Sequence, residues 1–186
     1  MIQSLTVTLF PFVFLTVLFG GGALFRRRNI DMDGDPPINR TLFYGSKYAI
    51  LLLWAGMVSQ SWGVDLSLIA VPSGIKWVAL SLWIAGFVLL LIGRLGLGAS
   101  FRIGSPKEPT RLHVHGLFRF SRNPMYLGVD LTLLASVLYS LNPVLLAIGV
   151  FVAAVHHLIV LAEERHLKKA FGEPYEEYCR RVRRYL

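Results

Sequence analysis

Between Asp130 and Glu163 the chain runs for 32 residues, Leu131 to Ala162, without an Asp, Glu, Lys or Arg. As a single helix rising 1.5 Å per residue, this stretch would reach about 48 Å, well past the ~30 Å hydrocarbon core of a bilayer. Asn142-Pro143 stands in its middle, and a proline there removes a backbone donor and clashes with the turn before it. The expected structure is a helical hairpin, with Met125 to Leu141 going one way and Pro143 to about Ala170 returning. Helices apolar all round are buried in a large core or in lipid, and 186 residues cannot supply such a core.

The rest of the chain agrees. Hydrophobic residues make up 54% and charged residues 16%, against about 25% charged in ordinary soluble domains. Three further runs have the length of a membrane span: Leu5 to Phe25, which stops at Arg26-Arg27-Arg28; about Phe43 to Trp62, with Lys47 near its entrance; and about Ile75 to Leu95, bracketed by Lys76 and Arg94. The first lacks the basic n-region and small-residue cleavage site of a secretory signal, so it is expected to be retained. The sequence predicts an all-α integral membrane protein of about five transmembrane helices, ending in the hairpin and a short interfacial helix. It divides into residues 1–95, three N-terminal spans, and 96–186, a catalytic-looking core, within one structural domain.

Net charge is +8. The basic residues flank the apolar runs rather than forming a stripe, which points to membrane topology and away from nucleic acid. Lys and Arg gather in 26–47, 94–122 and the tail, and are absent from the N-terminus and from the turns at 63–74 and 142. This alternation puts the N-terminus outside and the C-terminus in the cytoplasm. The single cysteine, Cys179, allows no internal disulfide, and no metal-ligand spacing is visible.

The tail from Glu163 to Leu186 holds 12 of the 30 charged residues. The last span is expected to stop at Phe171-Gly172, and a short helix to begin with Pro174 at its first position. Tyr175, Tyr178 and Val182 then share a face, suited to an interface with anionic lipid or to a lid.

Two segments carry chemistry. The first is RLHVHGLFRFSRNPMYLG, Arg111 to Gly128, with two histidines, three arginines and a helix start at Pro124 whose free N–H groups suit an anion. The bland alternative is topology-setting arginines and an Asn-Pro cap. The second is Glu163-Glu164 at the end of the last span, where adjacent carboxylates at a hydrocarbon boundary need partners, water or a ligand. Arg165 and Lys168 are their nearest basic residues in the sequence. His156 and His157 point to different faces of one helix, so at least one faces the interior. Asp130 and His157 are candidates for the acceptor side. Gly20 to Gly22 and the glycines of GRLGLG (Gly93, Gly96, Gly98) follow no strand, so they suit close helix packing rather than dinucleotide binding. Small residues such as Gly86, Gly128, Ala135, Gly149, Ala153 and Ala154 could pack helices tightly or leave a slot for a lipophilic molecule entering sideways.

Taken in order, Gly116-Leu117-Phe118, Arg122-Asn123-Pro124-Met125-Tyr126, the hairpin, Glu163-Glu164, Leu167, Phe171-Gly172, Tyr175 and Tyr178 resemble the isoprenylcysteine carboxyl methyltransferase family and its phospholipid methyltransferase relatives. The resemblance covers the C-terminal half. It implies S-adenosylmethionine as methyl donor, held by Thr110, Arg111, Leu112, His113, Gly116, Phe118, Arg122, Asn123, Pro124, Met125, Tyr126, Glu163 and Glu164. It also implies a lipophilic or prenylated acceptor arriving from the bilayer, an isoprenylcysteine carboxylate or a lipid amine or thiol. Asn123 stands where eukaryotic members carry histidine. A carboxylate acceptor would need no base, whereas an amine or thiol would need one, with His113, His115 or His157 available. The arginine-rich loop and the glutamate pair are expected to meet on the cytoplasmic side and enclose one polar cavity. A sterol-type reductase with reduced nicotinamide would share the hairpin by resemblance, and a non-catalytic scaffold would leave the polar cluster unexplained.

Overall fold

A computed structural model describes residues 1–26, 34–101 and 112–186 of the chain. Among them are six α-helices: α1 (Ile2–Arg26), α2 (Arg40–Ser61), α3 (Ser73–Leu97), α4 (Pro124–Ser140), α5 (Pro143–Phe171) and α6 (Glu173–Arg181). The first three and α5 are long and apolar enough to cross a bilayer, and α4 is a shorter apolar helix of 17 residues. The protein is an all-α integral membrane protein, as its hydropathy requires.

The expected hairpin is α4 and α5. Leu141, between them, takes a left-handed φ of +43°, a conformation that costs a leucine about 1–2 kcal/mol. Asn142 compensates. Its Oδ1 accepts from the N–H groups of Val144 (2.9 Å) and Leu145 (3.3 Å), and its Nδ2 donates to Leu66 O at 2.7 Å. The loop before α3 is thereby fastened to the hairpin tip. Asn39 caps α2 in the same way.

An aromatic cluster of Phe14, Trp54, Trp83 and Phe87 joins α1, α2 and α3, with Trp54 and Phe87 centroids 4.7 Å apart. Lipid offers no hydrogen bonds, so buried donors must be met internally. The Trp54 indole donates to Thr132 Oγ1 of α4 (2.9 Å), and that of Trp83 to Val7 O of α1 (3.1 Å).

Helices α3 and α4 approach through glycine. A Cβ on Gly86 would lie 2.7 Å from Gly128 O, and one on Gly128 would lie 2.9 Å from Gly86 O. Gly93 likewise faces Met125. This contact sets the beginning of α4, and the site around it, against the end of α3. The packing role does not extend to Gly20 or Gly96, which have no neighbouring atom within 4 Å of a built Cβ. Nor does Gly128 border a slot, because α3 fills the space. Ala153 and Ala154 lie exposed on α5.

Candidate active site

The chain enters α4 through a single 3-10 turn, Gly116–Arg119, opened by Gly116 with φ +61°. Leu112 and His113 precede it, both partly buried. The His113 ring stands 6.5 Å from that of Phe118, and its Nε2 is buried without a hydrogen-bond partner. Pro124 begins α4 as expected. Asn123 does not cap it; its Nδ2 turns instead to Arg184 O (3.2 Å) and Glu164 Oε1 (3.4 Å). Thr110 and Arg111 lie outside the described residues. Arg119 and His115 are exposed.

Glu163 and Glu164 meet this segment directly. Tyr126 Oη donates to Glu163 Oε1 at 2.9 Å. Arg122 donates from Nε (3.2 Å) and Nη2 (2.9 Å) to Glu164 Oε1, and Arg184 holds the other oxygen through Nε (3.1 Å) and Nη2 (2.9 Å). Glu164 is therefore clamped between two guanidiniums, an arrangement of charge-assisted bonds stronger than neutral ones. Arg165 and Lys168, its neighbours in sequence, take no part: Lys168 pairs with Glu176 of α6 at 2.9 Å. Arg165 projects about 100° around the helix from Glu164, on the side opposite Glu163.

The tail closes over the arrangement. Helix α6 ends at Arg181, one residue before Val182, which is extended. Arg122 Nη1 donates to Cys179 O and Val182 O, its backbone N–H to Arg183 O, and Ser121 Oγ to Arg184 O. Tyr178 Oη donates to Phe118 O at 2.7 Å, and burial pushes that phenol up to about 12. Burial raises Tyr175 as well, and the hydrogen bond to Glu164 holds Arg184 above its usual value. The tyrosine face of α6 is thus turned onto the protein.

The two motifs therefore come together, and among the described residues two guanidiniums on one carboxylate and four tail carbonyls drawn to Arg122, Ser121 and Asn123 occupy their meeting point. A cavity of about 310 Å³ opens beside it, between α5 and α6, lined by Glu164, Lys168, Tyr175, Glu176, Cys179 and Arg184.

Residues 72–174, more than half of the chain, match the phospholipid methyltransferase family. The chain belongs to that family. It is a membrane methyltransferase. No curated protein sequence matches it. Every candidate donor-site residue from Thr110 to Glu164 falls within the region shared with the phospholipid methyltransferases, whereas Tyr175, Tyr178 and Arg184 lie beyond it.

Sequence reasoning missed Arg184 and the tail carbonyls, for which a basic run separated from Glu164 by 20 positions gave no signal. It also left open which of His156 and His157 faces the interior. His157 is exposed, its Nδ1 2.9 Å from Tyr185 Oη, while His156 is 2% exposed and lies against Tyr126, ring centroids 5.2 Å apart. Lys47 of α2, read as a snorkelling residue, comes within electrostatic reach of Glu163 and His156.

Proposed function

We propose that this methyltransferase takes its methyl group from S-adenosylmethionine and delivers it to a lipophilic acceptor that reaches the site from the bilayer. The observation that carries the reading is the meeting of Tyr126 with Glu163 and of Arg122 with Glu164, across about 40 residues of sequence, within the region that defines the family. The donor set fits such a cofactor in kind. Glu163 and Glu164 offer carboxylate oxygens to its ammonium and hydroxyl groups, the unpartnered His113 Nε2 offers one further polar contact, and Phe118 and Tyr126 offer flat apolar surface.

A sulfonium supplies a methyl group that is already activated, so the protein's task is to position, desolvate and neutralise charge. Tyr126 holds the Glu163 carboxylate in one orientation. Arg122 and Arg184 hold the Glu164 carboxylate in place within α5, where an unpaired carboxylate would be costly. The tail, bonded to Phe118, Ser121, Arg122 and Asn123, shields the start of α4 from water. The basic loops put this end of the bundle, the C-terminus included, on the cytoplasmic side, with the N-terminus outside.

The test is titration calorimetry of S-adenosylmethionine with the full chain in detergent, followed by transfer of a labelled methyl group to a lipid extract. Binding by the wild type, weakened about 10- to 150-fold in Glu163→Gln through loss of one charged hydrogen bond, supports the reading. Absence of binding, or affinity unchanged from the wild type in both Glu163→Gln and Glu164→Gln, overturns it.

A further inference from the structure

The cavity between α5 and α6 opens on a different side of α5 from Glu163. Leu161, Glu164, Arg165 and Lys168 line it from that helix. At 100° per residue this set centres about 150° around α5 from Glu163, and so on the side turned away from the Tyr126 hydroxyl that Glu163 accepts from. Its volume of about 310 Å³ reaches the range of small-molecule sites, roughly 300–1,000 Å³.

The charges around the cavity do not cancel. Glu164 is shared by Arg122 and Arg184, and Glu176 is paired with Lys168 at 2.9 Å, so each carboxylate on the wall is already matched. Arg165 has no hydrogen-bond or ion-pair partner among the described residues. On the α6 side, Tyr175 is 3% exposed, and its Oη is buried without a hydrogen-bond partner. Its polar neighbour there is the Cys179 thiol, a weak partner at best. A hydroxyl enclosed in this way has lost its hydration with no bond in return. An unmet donor and a surplus of cations around one cavity both suit an anion with several acceptor oxygens.

The depth of the cavity narrows the choice. The uncharged run of α5 ends at Ala162. At 1.5 Å per residue, Arg165 stands about 4.5 Å beyond it and Lys168 about 9 Å beyond it. The polar layer outside a ~30 Å hydrocarbon core is about 5–8 Å thick on each face. Both cations therefore fall at headgroup level, with Leu161 at the hydrocarbon edge. Phosphate is the common anion of that layer, and arginine bonds it through two parallel N–H groups.

We propose that the cavity between α5 and α6 binds a phosphate group, held by Arg165, Lys168 and the Tyr175 hydroxyl, and that in the membrane this is the phosphate of an anionic lipid. Bound there it bridges the two helices, since Arg165 and Lys168 belong to α5 and Tyr175 to α6. It thereby steadies α6 and the tail that α6 leads into. The proposal stands on the cavity alone and is independent of the identity of the methyl donor or acceptor.

The experiment uses the full chain in detergent, with Arg165→Gln and Tyr175→Phe. Lys169→Gln, an exposed position outside the cavity, makes the same change in charge as Arg165→Gln. Retention of dioleoyl phosphatidic acid is read by native mass spectrometry, and binding of inorganic phosphate by titration calorimetry. The wild type is expected to retain one phosphatidic acid. Arg165→Gln and Tyr175→Phe are each expected to weaken it about tenfold or more, the loss of one hydrogen bond to a charged group, and Lys169→Gln to leave it unchanged. Without lipid, Tyr175→Phe should keep or raise Tm, because the hydroxyl has no partner to lose. A lowered Tm with unchanged lipid binding would make the hydroxyl structural and overturn its role. Arg165, being exposed, carries the test should Tyr175→Phe fail to fold. Inorganic phosphate bound as tightly as phosphatidic acid, and weakened by the same two variants, supports the phosphate site and overturns the lipid as its source. Binding of neither probe overturns the proposal. So does a loss in Lys169→Gln as large as in Arg165→Gln, which would mark general attraction of basic residues to anionic lipid.

Discussion

Replacing Gly128 by alanine places a methyl group 2.9 Å from Gly86 O, 3.1 Å from Leu90 Cγ and 3.2 Å from Leu89 Cβ. The nearest of these is backbone, so relief requires α3 and α4 to separate rather than a side chain to swing away. Overpacking of this kind costs about 1–3 kcal/mol. Alanine recovers up to about 1 kcal/mol of helix propensity over glycine, so the net loss is about 0–2 kcal/mol. In a chain of this size each kcal/mol moves Tm by roughly 2–4 °C. Gly45, inside α2, has no atom within 4 Å of a built Cβ, so Gly45→Ala carries the propensity gain alone and raises Tm by about 2–4 °C. Thermal unfolding of both variants in detergent, followed by tryptophan fluorescence, makes the comparison. Since α4 begins at the site, Gly128→Ala should weaken donor binding too. Equal stability of the two variants would refute the claim that this helix pair is held at glycine-limited distance.

Glu164→Gln removes the charge that Arg122 and Arg184 share. The tail should detach, with hydrogen exchange at Val182 to Tyr185 rising at least tenfold while α3 and α4 keep their protection, and unchanged exchange would show that the carbonyl contacts hold the tail alone. Tyr178 is pushed up to about 12 by burial, against about 10 for a free phenol. The folded state therefore binds that proton more tightly than the unfolded one. Its contribution is complete below pH 10 and is lost as pH rises toward 12, so ultraviolet titration should show alkaline release of the tail in the wild type, an alkaline step that Tyr178→Phe lacks.

The hairpin was legible because one Asn-Pro interrupts an uncharged run too long for a single crossing. The boundaries of α4 and α5 fall within a residue or two of those expected. The meeting of Arg122 and Tyr126 with the glutamate pair was legible too, since charge asymmetry assigns both to one membrane face. What the sequence concealed is angular. That His156 and His157 diverge follows from helix geometry, but which of them turns inward depends on how α5 is rotated against α4. The same rotation sends Arg165 away from Glu164 and brings in Arg184, whose approach depends on the extended backbone after Arg181. Glycine content suggested close packing at Gly96 as much as at Gly128, and only the crossing of α3 and α4 distinguishes them.

Helix α4 has 17 residues, while α3 has 25 and α5 has 29. Its length is about 26 Å, several ångströms short of a ~30 Å hydrocarbon core. A bilayer meets a short helix by thinning around it. Under the proposed reading, thinning beside α4 would lower the headgroup layer toward Tyr126 and Asp130. A lipid acceptor seated there would stand at the level of the glutamate pair, brought to the chemistry by the bilayer's own deformation rather than lifted out by the protein.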